Sequence, residues 1–255
     1  MSVNVYAWPP VSLQGWMWSL SDPIQRSRSI ITGAEYISAG QRRRRMVAME
    51  VAGIGKSRMD AGYIESLIEL LKGGQNCVRL HSCRINPRGG VAASLLRSQR
   101  LEWKSGTTDL DWTASGTELI WYTGTILTGT SGTDAAGWPI ITVSGLPPDS
   151  LVAKPSEFIA IFADESDTVG ATYRVLSPAY SNASGVAVIR LHEDPGILSG
   201  VRVNLRAQET AVFRPVTIPS SIQPAAGNWS YSWEFREVFE DEVGPGGFVE
   251  VNPWT

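Results

Sequence analysis

The chain has 255 residues, 43% of them hydrophobic and 18% charged, which excludes a disordered protein and allows one large domain or two small ones with proper cores. Net charge is only −3, but unevenly placed: residues 1–100 hold 14 Lys/Arg and 6 Asp/Glu, so they carry +8 and the remainder −11. No run approaches the roughly 18 apolar residues that span a membrane, and Met1–Pro10 has neither the basic n-region nor the apolar h-region of a secretory signal.

Val3–Trp8 starts extended and is stopped by Pro9-Pro10. Gln14–Leu20 alternates, with Trp16, Trp18 and Leu20 on one face. Ile24–Ile31 and Ala34–Ser38 flank Thr32-Gly33, which predicts a hairpin. Gln41–Ala52 is a longer strand that begins with Arg42, Arg43, Arg44 and Arg45 and then carries Val47, Met49 and Val51 on one face. Met59–Lys72 is the predicted helix: Met59, Tyr63, Ile64, Leu67, Ile68 and Leu71 form a single apolar stripe. Ser57 or Asp60 would cap its start, and Gly73-Gly74 would end it. Gln75–Ser82 returns as a strand, so the N-terminal part reads as a sheet with one helix laid on an apolar face.

Residues 101–124 contain a short repeat, Leu101-Glu102-Trp103, Leu110-Asp111-Trp112 and Leu119-Ile120-Trp121. Nine residues suffice for a short strand and a turn, so three rungs with one aromatic face are expected. Trp103, Trp112 and Trp121 would pack against the sheet or a neighbouring subunit, or else form a glycan platform. Thr125–Gly137, rich in Gly, Thr and Ser, reads as a linker. Trp138–Val143, Glu157–Ala163, Ala171–Ser177, Gly185–Leu191 and Val201–Leu205 are short β-rich segments separated by turn residues. Five strands in this length suit a small OB-like barrel. After a second connector, Val216–Gly227, the residues Trp229, Tyr231, Trp233 and Phe235 alternate with polar ones and predict a strand with a wholly aromatic buried face. That strand needs a large apolar partner, which the N-terminal sheet with Trp16 and Trp18 supplies.

The predicted fold is therefore mainly β (α+β). A β-sheet or sandwich domain with one packed α-helix spans residues 1–137 and 216–255, and an inserted five-stranded OB-like barrel spans 138–215.

Signals for chemistry are weak. Gly53-Ile54-Gly55-Lys56-Ser57 lies between a strand and a helix, as a phosphate-binding loop would, but Glu50 stands where such a loop needs glycine. A glycine turn feeding a helix cap accounts for it better. Four arginines on a strand point to both faces, so Arg42–Arg45 cannot form one nucleic-acid stripe. Ion pairing with the acidic cluster of Glu234, Glu237, Glu240, Asp241 and Glu242, within or between subunits, is the preferred reading. This makes Arg42–Arg45 with Glu237, Glu240, Asp241 and Glu242 the candidate subunit interface. His81 and His192 have no ligand partners at metal-binding spacing. Asp164, Glu165 and Asp167 read as a solvated acidic turn rather than a glycosidase pair. Cys77 and Cys83, six apart along a strand and its exit, would stand roughly 20 Å apart and are read as free thiols of a protein assembled in a reducing cytoplasm. No enzyme activity, cofactor or metal is expected.

The middle of the chain resembles a segment common in tail proteins of long-tailed bacteriophages. The pieces that carry the resemblance are Gly145-Leu146-Pro147, Pro155-Ser156-Glu157, Ser181-Asn182-Ala183-Ser184-Gly185, His192–Pro195, Gly200 before Val201-Arg202-Val203, and Phe213-Arg214-Pro215. Ser156-Glu157 departs from the usual Gly-Asp. Tyr6-Ala7-Trp8-Pro9-Pro10 and the Gln41–Arg45 run also look like chains encoded beside tail genes. The arrangement is similar to the distal tail protein, particularly the T5 type. The resemblance implies a virion component at the tail tip: a homo-oligomeric ring of six. It would join the tail tube protein to the baseplate hub protein and the receptor-binding or fibre proteins, with room for DNA to pass. Other tail roles stay open at this point: a tube or head–tail joining ring, or a carbohydrate-binding adhesin module.

Overall fold

A computed structural model describes residues 2–38, 42–54, 59–82, 91–101, 103–105, 108–110, 112–115, 117–164, 167, 170–220 and 229–254. The chain is mainly β with one α-helix and divides into two compact units, Met1–Cys83 with Thr210–Thr255, and Arg84–Glu209.

The first unit is built on one seven-stranded sheet. Its strands run in the order Gly15–Ser21, Arg44–Ile54, Trp229–Glu237, Thr210–Thr217, Cys77–His81, Val3–Ala7, Phe248–Val251. All neighbours are antiparallel except Val3–Ala7, which runs parallel to both of its partners. Register explains the core. Trp18 lies opposite Val47, Val47 opposite Phe235, Trp233 opposite Met49 and Tyr231 opposite Val51. Because side chains alternate with period two, these residues share one face. Phe213, Val78, Leu80 and Tyr6 extend that face across the remaining strands. The helix Asp60–Leu71 covers it with Ile64, Leu67 and Leu71, all fully buried. Each large side chain buried there contributes about 1.5–3 kcal/mol. The Trp233 and Phe235 rings stack at 5.2 Å, and the Trp8 ring meets both edge-on. The opposite face carries a smaller cluster of Val5, Cys77, Val212 and Val238.

Helix ends differ in detail from expectation. Met59 precedes the helix without a side-chain cap, Asp60 sits in its first turn, and Ser57 lies outside the described residues. Lys72 takes the left-handed C-cap conformation, and its N–H donates to the Glu69 carbonyl.

The second unit holds a six-stranded sheet ordered Ala171–Arg174, Phe158–Phe162, Val201–Ala207, Leu127–Thr133, Pro139–Ser144, Val186–Arg190. Its two end strands meet through the Val175–Leu191 bridge. There Leu176 N–H donates to the Arg190 carbonyl and His192 N–H to the Arg174 carbonyl, both at 3.0 Å. The sheet thus closes on itself, and Leu127, Ile141, Val143, Ile159, Ile161, Ile189, Val203 and Leu205 fill the inside.

The barrel therefore has six strands rather than five. The extra one is Leu127–Thr133, in the stretch expected to be a linker, and it pairs with both Pro139–Ser144 and Val201–Ala207. It can do so because Gly129 sits where two neighbours already occupy the interior. A Cβ there would lie 2.6 Å from Val203 Cγ2 and 2.7 Å from Ile141 Cδ1. The unit boundary also falls at Cys83/Arg84 rather than at residue 138. Phe213-Arg214-Pro215, expected to close the barrel, instead belongs to the Thr210–Thr217 strand of the first unit.

Candidate interaction surfaces

The arginine run is paired within the chain, and its geometry follows from the register of two strands. Continuing the Val47–Phe235 pairing by two residues sets Glu237 opposite Arg45. The Glu237 carboxylate accepts from Arg45 Nη1 at 2.5 Å and from the Arg45 backbone N–H at 2.7 Å. Only 5% of the Glu237 side chain is exposed, so this is a buried charge with a charged partner. Arg44 points to the other face. It donates to the Glu237 carbonyl at 3.0 Å and to both carboxylate oxygens of Glu242, Oε2 at 2.8 Å. Arg42 reaches Asp241 at 2.9 Å, and the Arg42 and Arg44 guanidinium groups lie 4.4 and 5.0 Å from the Phe239 ring centroid. Arg43 turns away to Asp22 at 2.5 Å.

Arg44 holds the Glu242 carboxyl far below its ordinary value, at about 2, with help from the Phe239 backbone N–H. Glu242 in turn raises Arg44. Of the expected acidic partners, Glu237, Asp241 and Glu242 meet the run, while the Glu240 carboxylate lies beside Gly247. These charges satisfy one another inside one subunit. They fasten the Arg44–Ile54 strand to the C-terminal segment rather than presenting two free patches.

The nine-residue repeat is visible in the backbone. Leu110 N–H donates to the Trp103 carbonyl at 2.8 Å, and Leu119 N–H to the Trp112 carbonyl at 2.6 Å. Leu101 lies opposite Trp121 in the antiparallel pair of Ser98–Leu101 with Trp121–Gly124. The same Leu–Trp pairing thus recurs three times. Trp103, Trp112 and Trp121 are each about half exposed. The Trp103 and Trp112 rings meet at 6.2 Å and 69°, edge to face.

A third surface lies at the hairpin predicted around Thr32-Gly33. The hairpin Gln25–Arg28 with Glu35–Ser38 is a separate two-stranded sheet in which every residue is exposed. Its turn is held by Gly33 N–H donating to the Ser29 carbonyl and Ser29 N–H to the Ala34 carbonyl, both at 2.9 Å. At the tip, Ile30 is 101% exposed and Ile31 95%. Tyr36 and Ile37 are exposed on the returning strand.

The other candidates resolve as follows. Gly55, Lys56 and Ser57 of the glycine turn lie outside the described residues, as do Glu165 and Cys83. Cys77 is a buried free thiol, pushed up by burial. Burial lowers His81, and Arg79 lowers it further. Among the described residues no group of three His, Cys, Asp or Glu could hold a metal, and no helix is long and apolar enough to cross a membrane. Asp164 Oδ1 accepts from Asp167 N–H at 2.9 Å, and Asp167 Oδ1 from Gly170 N–H at 2.8 Å, so both carboxylates shape a turn. Comparison with known proteins finds no matching family model and no matching curated protein.

Proposed function

We propose that this chain is a structural virion protein of a phage tail tip. Copies of it, six by the resemblance, form a ring between the tail tube and the baseplate hub that carries the host-recognition apparatus. The observation that carries this reading is the Gln25–Arg28/Glu35–Ser38 hairpin. An isolated two-stranded hairpin is marginal in water, and this one sets Ile30 and Ile31 fully in solvent at its tip. Such a feature is accounted for by a partner surface. The seven-stranded sheet adds support, because it ends in two unlike strands, Gly15–Ser21 and Phe248–Val251. A ring grows from two different faces per subunit, and unlike ends are compatible with that. The arginine run supports the reading less than its charge suggests, because its acidic partners are in the same chain.

A glycan platform of stacked tryptophans finds less support, because Trp103 and Trp112 meet edge to face.

Sedimentation velocity of the full chain at low salt tests the ring. The wild type is expected to sediment as a closed oligomer. The double variant Ile30→Asp, Ile31→Asp should stay monomeric with an unchanged melting temperature. A wild type that is monomeric at every concentration, and binds neither tube nor hub protein, would overturn the reading.

A further inference from the structure

Among the described residues, large apolar side chains left in solvent gather in two places. One is the Gln25–Arg28/Glu35–Ser38 hairpin, with Ile24, Ile30, Ile31, Tyr36 and Ile37. The other is the nine-residue repeat, with Leu101, Trp103, Leu110, Trp112, Leu119 and Trp121, each 39–53% exposed.

The repeat is a closed figure. Its three segments, 101–103, 110–112 and 119–121, are joined in turn. Leu110 N–H donates to the Trp103 carbonyl, which ties the second segment to the first, and Leu119 N–H to the Trp112 carbonyl, which ties the third to the second. Leu101 lies opposite Trp121, which ties the third back to the first. Two short hairpins, Lys104–Ser105 with Thr108–Asp109 and Thr113–Ala114 with Thr117–Glu118, leave from two of the corners. The third corner is the stem of Ser98–Leu101 with Trp121–Gly124. The result is a triangle in which each side is one Leu–Trp pair. Leu101 and Trp121, directly opposed across an antiparallel pair, share a face, and the Trp103 and Trp112 rings meet at 6.2 Å. With about half of each tryptophan in water, the three indoles leave on the order of 350 Å² of apolar surface. That reaches the range of the largest patch on an ordinary monomer, and the leucines add to it.

Hairpin and triangle differ in form and in charge. The hairpin ends in a projecting aliphatic tip, whereas the triangle is a broad aromatic plate. Residues 24–38 carry Arg26 and Arg28 against Glu35, so +1, while residues 101–121 carry Glu102, Asp109, Asp111 and Glu118 against Lys104, so −3. Opposite signs favour tip against plate, and like signs disfavour plate against plate or tip against tip. Tryptophans suit the receiving side, because they bring large contact area with few rotatable bonds.

We propose that the Ile30–Ile31 tip of one copy docks on the Leu–Trp triangle of the next. This rests on the ring reading above and names the surface that receives the hairpin. Each chain exposes one tip and one plate, so the contact joins unlike surfaces and repeats from copy to copy until the ring closes.

Sedimentation velocity of the full chain tests this with three proteins: wild type, the tip variant Ile30→Asp, Ile31→Asp, and a plate variant Trp103→Ser, Trp112→Ser. Each variant alone is expected to stay monomeric where the wild type associates. Mixed in equal amounts, the two should form a one-to-one dimer and nothing larger, because only the tip of one and the plate of the other remain. Trp112→Ala alone should weaken association roughly thirty-fold or more, as loss of an interface tryptophan does. Hydrogen exchange in Leu127–Thr133 checks that the plate variant keeps the second unit folded. If that protection is lost, a photoreactive benzoylphenylalanine in place of Ile31 decides instead, in a chain whose plate is intact: crosslinks are expected from one copy to peptides of residues 101–121 in another. The proposal is overturned, with the ring reading intact, if the folded plate variant associates like wild type, if the mixed variants stay monomeric, or if the crosslinks avoid residues 101–121. A plate variant that associates normally but no longer binds tube or hub protein gives the plate to that protein instead. A wild type that is monomeric at every concentration overturns this proposal, and the ring reading with it if neither tube nor hub protein is bound.

Discussion

Replacing Arg45 by methionine should unfold the first unit more readily than any other change in the arginine run. Glu237 shows why. Its side chain is 5% exposed and stands against the Arg45 guanidinium and backbone N–H. Arg45→Met removes the guanidinium and leaves a buried carboxylate with its backbone bonds. Breaking a buried pair this way costs about 3–5 kcal/mol. The retained Arg45 N–H, and the partial exposure of the arginine stem, place this case at the lower end, about 3 kcal/mol. Removing both charges in Arg45→Met, Glu237→Met should recover most of that, because no unpaired charge remains. Arg43→Ala makes the contrast: its pair with Asp22 is exposed on both sides and should be worth less than about 1 kcal/mol. The chain has two compact units, so a global melting curve would mix them. Hydrogen exchange in peptides covering Trp229–Glu237 reports the first unit alone. Arg45→Met should speed the slowest amides there by roughly two orders of magnitude. An effect no larger than that of Arg43→Ala would refute the argument, as would a double variant less stable than Arg45→Met.

Three further outcomes follow from the same structure. Arg44 depresses the Glu242 carboxyl to about 2 from an ordinary 4.5, so the stability it contributes is present above the ordinary value and lost as pH falls through the folded one. Glu242 is about a third exposed, so screening limits the effect to about 1 kcal/mol; acid titration of Glu242→Gln should lack that portion of the loss. Gly129→Ala forces a methyl against Val203 and Ile141 inside the barrel and should cost about 1–3 kcal/mol, read as lost exchange protection in Pro139–Ser144 with none in Trp229–Glu237. Tyr231→Phe removes the 2.8 Å bond its hydroxyl donates to Glu65 on the helix; it should cost about 1 kcal/mol and raise exchange in Asp60–Leu71.

Much of the first unit was legible because its signals are periodic. The strict alternation from Trp229 to Phe235 is the period of a half-buried strand, and the stripe from Met59 to Leu71 is that of a helix. The nine-residue spacing of Trp103, Trp112 and Trp121 likewise became a recurring backbone pairing. Composition misled at Thr125–Gly137. Its Gly, Thr and Ser content reads as a linker, but Gly129 is there because Ile141 and Val203 fill the space from across the barrel. That is a tertiary cause with no local signature. The resemblance implies that Phe213–Pro215 belongs to the barrel, while the partners of its strand are Cys77–His81 and Trp229–Glu237. Ion pairing of the arginine run was expected, but the choice between partners within and between subunits depends on strand register across nearly 200 residues. Ile30 and Ile31 are apolar and read as the end of the Ile24–Ile31 strand, whereas that strand stops at Arg28. Their exposure follows only from the hairpin standing outside the seven-stranded sheet.

The central claim is a place in a particle, and electron microscopy of tails labelled through this chain tests it most directly. Antibody or gold directed to an exposed tag on the protein is expected at the distal end of the tail, in a single ring. Label spread along the tube, confined to the head–tail junction, or absent from the particle would contradict the account.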